Sequence, residues 1–429
     1  MMAEIGSEQY YICSMYIMKK VKLFFIIIFV FVLLNANAQS TDSTLDIVNW
    51  NLEWFGSTEF APNDDSLQQQ NVIAVLKYLD ADIYALCEVV DSTRLRHVVT
   101  ALGSDFDFTI SDFTSFASNM QDPDWATGQK LAFVYNKKIV SNVKVRGLLR
   151  NSSDAYYNFA SGRLPYMLNA NVDIQGRKRN ITLISIHAKS GSSADDYYRK
   201  LGGTNELKDT MDAAFINKPM IFLGDYNDDL DFTICTGIST TESSYHSVAE
   251  DSIDDTKYIS ITLPLSKEGQ NSTIDFPDVI DHQIISASMD SMYVQGSASI
   301  RKDIEDIVKG YKTNNTSDHY PVFSQYKIID GDTSEAVAEP PPVAASGDGF
   351  TIFPNPFNTQ FSFANNTELT NIQVYVYTNT GAKIYYNSIR SLYADIPFTV
   401  QLPNVAAGIY HLVINSDQLK IKFTLFKNN

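Results

Sequence analysis

Short apolar runs that end abruptly in polar side chains are the feature that most constrains how this chain can fold. Between Leu45 and Lys327 such runs alternate with polar or helical stretches. Seven of the runs are predicted as strands, namely Leu45–Trp50, Ile83–Leu86, Leu131–Tyr135, Ile181–Ile186, Met220–Leu223, Val279–Ile285 and Pro321–Tyr326. Ser66–Leu79 has the apolar spacing of a helix. We therefore expect an α/β (α+β) domain of stacked sheets covered by helices.

The N-terminal residues have the pattern of an export signal. A basic stretch from Met18 to Lys22 precedes the unbroken apolar run Leu23–Leu34, and small residues follow at Ala36 and Ala38. The apolar run is shorter than the roughly 20 residues that a membrane span needs. We expect a signal peptide over residues 1–38, with Met18 as an alternative start and no stable membrane span.

Composition excludes several classes of protein. The 33 basic and 50 acidic residues give a formal charge of −17 on 429 residues, which argues against a broad basic face that coats nucleic acid. With 44% hydrophobic residues the chain can build a sizeable core. Cys13 would leave with the signal peptide. Cys87 and Cys235 cannot form a disulfide framework or a zinc site by themselves, so we expect both to be buried thiols.

The character of the sequence changes twice after Lys327. Residues 330–349 are acidic and contain Pro and Gly without a periodic apolar face, which predicts an extended linker. Residues 350–429 are almost purely strand-like, with runs at Ile372–Tyr377, Lys383–Tyr386, Phe398–Leu402, Ile409–Ile414 and Leu419–Phe426. Their regular spacing predicts a small all-β sandwich. We therefore place the main domain at 39–329 and a second domain at 350–429.

Three short motifs mark the C-terminal segment. Phe353–Phe357 reads FPNPF, Val374–Gly381 reads VYVYTNTG, and Gly408–Tyr410 precedes a basic, apolar end. Together they resemble the C-terminal sorting domain of the type IX secretion system. The resemblance implies export through that machinery by way of residues 350–429, and a secreted or cell-surface product that has passed through the periplasm. On the strand pattern alone, a carbohydrate-binding or adhesive β-domain is the alternative.

Polar residues at the strand ends are the candidates for chemistry, because strand ends are where an apolar scaffold can carry functional groups. Asn51 follows the first run, although an Asn there is often only a turn former. Glu88 lies within an apolar run, where a carboxylate needs a cation, a hydrogen-bond partner or solvent. A hard divalent ion and a salt bridge satisfy Glu88 equally well.

The sharpest signal is Gly224-Asp225-Tyr226-Asn227, which follows an apolar strand directly. Two-residue spacing on extended backbone would place Asp225 and Asn227 on one face, and an Asp/Asn-rich turn is the alternative. Asp318 and His319 precede another strand. As neighbours they can cooperate only if the backbone departs there from extended geometry.

Two further polar residues, His187 and Asp281, interrupt apolar strands and therefore need partners. Each is ambiguous when taken alone, because a single histidine or carboxylate is more often structural. The other histidines, His97, His246 and His411, lack such a context, and we expect them to be structural.

Taken in order, these segments resemble the endonuclease/exonuclease/phosphatase superfamily, especially its secreted deoxyribonuclease I-like nucleases. The motifs that carry the resemblance are Trp50-Asn51, Leu86–Val89, Gly128-Gln129, Arg163–Pro165, His187, Gly224–Asn227, Ile280–His282 and Ser317–Pro321. The resemblance implies a four-layer α/β-sandwich of two packed β-sheets flanked by helices. Two residues depart from the family pattern: Cys87 stands where Gln is usual, and Gln129 where the deoxyribonuclease branch has a catalytic Glu.

The resemblance also assigns the metal and phosphate contacts. Glu88 would be the principal metal ligand, with Asn51 and Asp318 completing or supporting the shell of the ion. The ion would be Mg²⁺, with Mn²⁺ or Ca²⁺ as alternatives. Arg163 would contact a phosphate oxygen.

The remaining roles that the resemblance implies are catalytic. Asp225 and Asn227 would position the phosphate and the attacking water. His319, oriented by Asp281, would be the general base, and His187 would stabilise the phosphorane or assist the leaving oxygen. The departure at Gln129 weakens any assignment of leaving-group protonation.

The function expected from these features is that of a secreted, metal-dependent phosphodiesterase, most directly a monomeric nuclease acting on extracellular DNA or RNA, with DNA first. A metal ion with two imidazoles supplies the charge and the proton routes that phosphodiester hydrolysis needs. A phosphatase or sphingomyelinase-type phospholipase is the alternative, and the acidic charge modestly favours it. A surface adhesin without catalysis is a third possibility.

Overall fold

The computed structural model describes residues 44–427, apart from residues 61, 151, 216, 250–257, 312–314, 334–348, 368, 393–396 and 418. The predicted signal peptide and most of the predicted linker, whose boundaries stay predictions, lie outside the described residues. Within the described ranges no helix has the length and apolarity that crossing a membrane requires.

Six strands form the first sheet, in the order β11-β12-β1-β2-β4-β3. They are β1 (Leu45–Phe55), β2 (Ile83–Val89), β3 (Phe106–Ile110), β4 (Lys130–Asn136), β11 (Ser299–Ile300) and β12 (Val322–Tyr326). Strand β1 pairs in parallel with β2 and antiparallel with β12. The register sets Leu45 opposite Tyr326, so the first and last strands of this region lie side by side.

Six further strands form the second sheet, in the order β5-β6-β7-β8-β10-β9. They are β5 (Val140–Gly147), β6 (Tyr166–Ile174), β7 (Arg177–His187), β8 (Met220–Asp225), β9 (Tyr258–Ser260) and β10 (Asp281–Ser286). Strand β7 is parallel to β8, and β10 is antiparallel to it. All seven strands predicted from the sequence are present, each lengthened or shortened by a few residues.

The helices cover the sheets. They are α1 (Asp65–Leu79), α2 (Ser92–Leu102), α3 (Pro123–Thr127), α4 (Ser153–Asn158), α5 (Ala194–Phe215), α6 (His246–Ala249), α7 (Leu263–Lys267) and α8 (Ala287–Asp290), with a 3₁₀ helix at Lys302–Asp306. The two helices α1 and α2 begin where the side chains of Asp64 and Asp91 accept hydrogen bonds from free N–H groups of the first turn. The predicted helix Ser66–Leu79 is therefore confirmed, with one more residue at its start.

Alternation along the strands divides the core into two clusters. On β1, Leu45 and Ile47 face the second sheet and join its residues in one cluster, while Val48 and Trp50 face outward and pack with α1 and α2. Helix α5 contributes apolar side chains such as Leu207 to the cluster that contains the second sheet. The predicted four-layer α/β-sandwich is confirmed.

The strand directions bring polar residues to one end of the sandwich. Strands β1, β2, β7 and β8 all end there, and their antiparallel neighbours β10 and β12 begin there. In the register of the second sheet, Asp225 lies between His187 on one side and Asp281 on the other. In the first sheet Asn51 is paired with Cys87, next to Glu88. We call this end of both sheets the polar end.

The strands after residue 349 form two small sheets, in the orders β13-β14-β17 and β16-β15-β18-β19. They are β13 (Phe350–Phe353), β14 (Gln360–Asn365), β15 (Leu369–Thr378), β16 (Lys383–Leu392), β17 (Phe398–Gln401), β18 (Gly408–Asn415) and β19 (Lys420–Lys427). Both sheets contribute to one apolar cluster, for example through Phe361 and Leu412. The predicted small β-sandwich is confirmed.

Candidate active site

The site begins with Asn51 and Glu88, which lie on the neighbouring strands β1 and β2. The Asn51 amide donates hydrogen bonds from Nδ2 to Glu88 Oε1 at 3.0 Å and to Asp225 Oδ2 at 2.9 Å. The Trp54 N–H donates to Glu88 Oε2 at 2.9 Å. Glu88 has a φ of 60°, a left-handed conformation that is uncommon outside glycine. Defined contacts therefore fix both carboxylate oxygens.

His187 faces the same two carboxylates from the second sheet. Its Nε2 atom lies 3.4 Å from Glu88 Oε1 and 3.5 Å from Asp225 Oδ2. Burial, followed by the positive charges of Arg163 and His319, lowers the pKa of His187 well below its usual value. The imidazole is thus neutral near neutral pH, and the two facing oxygens favour the tautomer with its proton on Nε2.

A second imidazole forms an acid–histidine pair across the two sheets. His319 Nδ1 lies 2.7 Å from Asp281 Oδ2, and its Nε2 lies 3.9 Å from Asp225 Oδ2. Burial disfavours the charged imidazole, but the charge and hydrogen bond of Asp281 outweigh it, with help from Asp225 and Asp318, so the pKa of His319 is raised well above its usual value. This imidazole carries its proton in the metal-free site.

Ser317 gives the turn before β12 its shape. Its hydroxyl donates to the Asn51 carbonyl at 2.7 Å and accepts from the His319 N–H at 3.0 Å. The turn leaves extended geometry, and Asp318 Oδ1 comes within 3.7 Å of His319 Nε2. The carboxylate of Asp318 and the imidazole of His319 therefore lie close enough to interact, although the two residues are neighbours in the sequence.

Asn227 reaches the site by a different route from the one expected. Strand β8 ends at Asp225, and Asn227 has a φ of 51°, so the two residues do not share a face of an extended strand. Instead the Asn227 N–H donates to Asp225 Oδ1 at 2.9 Å. The segment is thus an Asp/Asn-rich turn that directly follows a strand, and the turn holds the Asp225 carboxylate in place through the Asn227 N–H.

Arg163 is buried beside the end of β7. It donates from Nε to the His187 carbonyl at 2.9 Å and from Nη2 to the Ala188 carbonyl at 2.8 Å, while Nη1 donates to Gln129 Oε1. Burial lowers the pKa of Arg163, and the charges of Glu88 and Asp225 oppose that shift. The guanidinium holds the strand that carries His187, and its contact with a phosphate oxygen stays a prediction.

The sequence-predicted residues thus converge on one cluster of side chains at the polar end, which we call the pocket. The side chains of six of them are linked by the distances above, with Asp318 beside His319, Asn227 beside Asp225, and Arg163 behind His187; the six are Asn51, Glu88, His187, Asp225, Asp281 and His319. Their individual catalytic and metal-binding roles stay predictions.

The charges in this pocket do not balance. Four carboxylates, if all were ionised, would outnumber one guanidinium and one protonated imidazole in a mostly buried site, so either bound protons or a cation must offset their charge. Burial raises the pKa of Glu88, and it raises that of Asp225 to about 7. A divalent cation would remove this excess, and carboxylate and amide oxygens are the donors that hard cations prefer.

A second grouping of donors overlaps with the first. Asp225, Asp281 and His319 each offer an atom within 4.8 Å of the others, and this buried group could hold a metal ion. However, the Asp281 and His319 atoms already share a 2.7 Å hydrogen bond. The Asp281–His319 pair therefore fits proton transfer better than metal binding. The Glu88 oxygens are also hydrogen-bonded, to Asn51 and Trp54, so the assignment of the cation to Glu88 stays a prediction.

Four residues that the sequence did not single out support the pocket. Ser272 donates to Asp281 Oδ2 at 2.8 Å, and Ser317 shapes the turn described above. Gln68 accepts from the Gly56 N–H and donates to the Thr316 carbonyl, and so ties the two loops that flank the site. Buried Lys130 donates to the Val90 and Gly128 carbonyls at 2.8 Å. Ser317 was quoted only as the first residue of the motif Ser317–Pro321, and Lys130 follows the motif Gly128-Gln129. These positions are the one signal that could have found them.

We expect Asp225→Asn to stabilise the metal-free protein, kept in EDTA, at pH 7.5. The folded-state pKa of Asp225, about 7, is above its ordinary value of 3.8, so the folded protein binds the extra proton more tightly than the unfolded chain. Protonated Asp225 makes its full contribution to stability below pH 3.8, and this contribution is lost as the pH rises through 7. Asn cannot ionise, so the variant shows no such loss. Thermal unfolding in EDTA should show the variant above the wild type at pH 7.5, with a gap that shrinks by pH 4. A constant gap would contradict the assignment.

Fold and site together define a two-sheet α/β-sandwich with a buried acid–histidine pocket at one end. Residues 351–428 match the secretion system C-terminal sorting domain. The predicted sorting domain is thereby confirmed, and the protein is exported, to be secreted or attached to the cell surface. No curated protein matches the sequence significantly.

Several solved structures are similar to this chain. An endonuclease/exonuclease/phosphatase from Beutenbergia cavernae has 15% identity over 89% of this chain and 100% of its own, with a TM-score of 0.44. One from Bacteroides vulgatus has 10% identity over 66% and 99%, with a TM-score of 0.45. The human Nocturnin catalytic domain has 15% identity over 66% and 94%, with a TM-score of 0.42. These values are too low to establish an activity for this chain.

Proposed function

We propose that this chain is a secreted, divalent-metal-dependent phosphodiesterase. The observation that carries the proposal is the Asp281–His319 pair, bonded at 2.7 Å, whose free imidazole nitrogen faces Asp225 in the pocket that also contains Glu88 and His187. A binding site gains nothing from two histidines whose pKa values are driven in opposite directions, but an acid–base reaction does.

The two imidazoles have different roles, one as acceptor of the proton of the attacking water and one as hydrogen-bond donor, and the leaving oxygen would take its proton from solvent. The nearby carboxylates hold the pKa of His319 high in the metal-free site, so His319 could act as a base only after a bound cation had offset their charge. It would then keep its Nδ1–H bonded to Asp281 and accept the proton of the attacking water at Nε2. Neutral His187 would donate a hydrogen bond from Nε2 to a phosphoryl or leaving oxygen. Asp225, fixed by Asn51 and by the Asn227 N–H, would orient the water.

The phosphoryl oxygens gain negative charge during hydrolysis, and groups other than the two histidines must supply positive charge to stabilise it. Asn51, Glu88 and Asp318 would hold the cation, and the buried charge of Arg163 lies behind His187. When bound, Mg²⁺ would polarise a phosphoryl oxygen and offset the carboxylate charge. The chemistry of the donors supports Mg²⁺ first, with Mn²⁺ as a close substitute and Ca²⁺ as a further alternative.

Nucleic acid is the first substrate to test, because the ordered motifs resemble secreted nucleases. A phospholipid phosphodiester is the second candidate. The formal charge of −17 disfavours gripping a long polyanion, whereas it does not hinder a single phosphodiester in a zwitterionic lipid.

Activity profiling of the full chain tests the proposal. We expect hydrolysis of plasmid DNA, single-stranded RNA or a phosphatidylcholine-type diester in the presence of Mg²⁺ or Mn²⁺, abolished by EDTA and restored by added cation. Phosphomonoesters, assayed beside them by release of inorganic phosphate, should be cleaved more slowly. Folded protein that cleaves no diester with either metal would overturn the proposal.

A further inference from the structure

Exposed phenylalanines are concentrated at one end of the sandwich. Among the described residues of 44–333, four phenylalanines are more than half exposed, and they are Phe60, Phe116, Phe232 and Phe276. We call these four side chains the phenylalanine rim. Exposed apolar side chains that are scattered singly need no explanation. Four exposed phenylalanines at one end of a molecule do need an explanation.

Each member of the rim lies on a different loop of the polar end. Phe60 follows the end of β1, and Phe232 follows the end of β8. Phe116 precedes β4, and Phe276 precedes β10, both of which begin at that end because they run antiparallel to β2 and β8. The four residues of the rim therefore lie on loops at the same end of the sheets as the candidate active site.

Local contacts fix the ring of Phe60 and the backbone of Phe116. The Phe60 ring packs against Trp54 at 4.7 Å, and the Trp54 N–H binds Glu88. Phe116 has a φ of 64°, which is a genuine outlier for a bulky residue, and its N–H donates to the Ser161 carbonyl at 2.7 Å. Backbone strain at a residue 66% exposed is not explained by core packing.

Acidic residues accompany the rim. Glu59, Asp231 and Asp275 each immediately precede one of the exposed phenylalanines, and Glu59 and Asp275 are themselves exposed. Carboxylates beside aromatic rings repel polyphosphates and anionic lipids but attract a quaternary ammonium group. The charge pattern thus disfavours contact between the rim and a nucleic-acid backbone, and it fits a headgroup that carries an outer positive charge.

We propose that the phenylalanine rim docks the polar end onto a zwitterionic phosphocholine bilayer. Aromatic side chains bind the boundary between headgroups and acyl chains, and the binding strength grows with the apolar area buried there. Docking would bring the lipid phosphodiester to the pocket that contains Glu88 and His319. This consequence rests on the proposed function, whereas docking itself requires no hydrolysis.

Vesicle binding tests the rim separately from catalysis. The full chain is sedimented in EDTA with vesicles of phosphatidylcholine alone and with vesicles that also contain phosphatidylglycerol. We expect binding to the first and weaker binding to the second. Phe116→Ser, Phe232→Ser and Phe276→Ser should each weaken binding about 5- to 10-fold, and the triple variant should lose it. Ile329→Ser is the control, since Ile329 is 46% exposed but follows the far end of β12.

A charge-reversal variant makes the test independent of the phenylalanine substitutions. Glu59→Lys, Asp231→Lys and Asp275→Lys combined should bind vesicles that contain phosphatidylglycerol more tightly than the wild type does. No binding of folded wild type to phosphatidylcholine, or equal binding by the triple serine variant, would overturn docking. Loss of oligonucleotide binding by the serine variants without loss of vesicle binding would assign the rim to nucleic acid instead, and would also overturn it.

Discussion

Glu88→Gln is expected to lower the rate of diester hydrolysis roughly 10²–10³-fold. The substitution removes the charge of the principal candidate metal ligand but keeps an oxygen that can accept from the Trp54 N–H. Burial raises the pKa of Glu88, so removing its charge is favourable, and this gain offsets the cost of setting the new NH2 group against the Asn51 Nδ2 donor. The melting temperature of the metal-free protein should therefore change little. Lost activity would then reflect the missing charge and not unfolding.

A measurement of cation binding distinguishes the loss of a metal ligand from a general loss of function. Isothermal titration with Mn²⁺ should show a weakened affinity in Glu88→Gln, and higher cation concentrations should restore part of the rate. Glu59→Gln is the matched control, since it removes an exposed acid from the loop after β1 and should leave hydrolysis of a soluble diester unchanged. Wild-type Mn²⁺ affinity in Glu88→Gln would rule out Glu88 as the principal ligand.

His319→Ala is expected to lower the rate by roughly 10²–10⁴-fold, as removal of a general base does. Asp281→Asn should also lower it strongly, because the amide cannot hold the imidazole with a proton on Nδ1 as the carboxylate does across 2.7 Å. Since the two residues act as a unit, the double variant should be little worse than His319→Ala alone.

The pH profile distinguishes proton transfer from a packing defect. In wild type, activity should rise with pH through the pKa of the metal-loaded dyad, and that limb should disappear in His319→Ala. His97→Ala is the matched control, because His97 is an exposed histidine of α2 and its removal should change neither rate nor profile. Additive losses in the double variant, or an unchanged acid limb, would exclude a base role for His319.

The sequence predicted the buried parts of the fold well. Strands such as Ile83–Leu86 and Met220–Leu223 are apolar on both faces, so they can be recognised without knowledge of their neighbours. The edge strands β3, β5, β9 and β11 were missed, because they are short or have no continuous apolar run. The interior strand β6 was also missed although it is largely buried, because Asn169, Asn171 and Asp173 interrupt its apolar residues.

The spacing of residues in the sequence was not enough to predict that the site residues come together in the pocket. Asn51 and Asp225 are 174 positions apart yet share a hydrogen bond, and no local pattern reports such a contact. The order of the motifs in the resemblance supplied that information. It supplied nothing about Ser272, which lies in a loop and reaches Asp281 only because β10 begins beside it.

The division of the pocket between the two sheets has a consequence for the cell that makes this protein. Asn51, Glu88 and His319 come from one sheet or its loops, and His187, Asp225 and Asp281 come from the other. Moreover, β1 finds its partner β12 only after residue 326 has been synthesised. A nascent or translocating chain with either sheet unformed therefore lacks a complete set of catalytic groups. The proposed activity can therefore appear only after both sheets, including the β1–β12 pair, have formed.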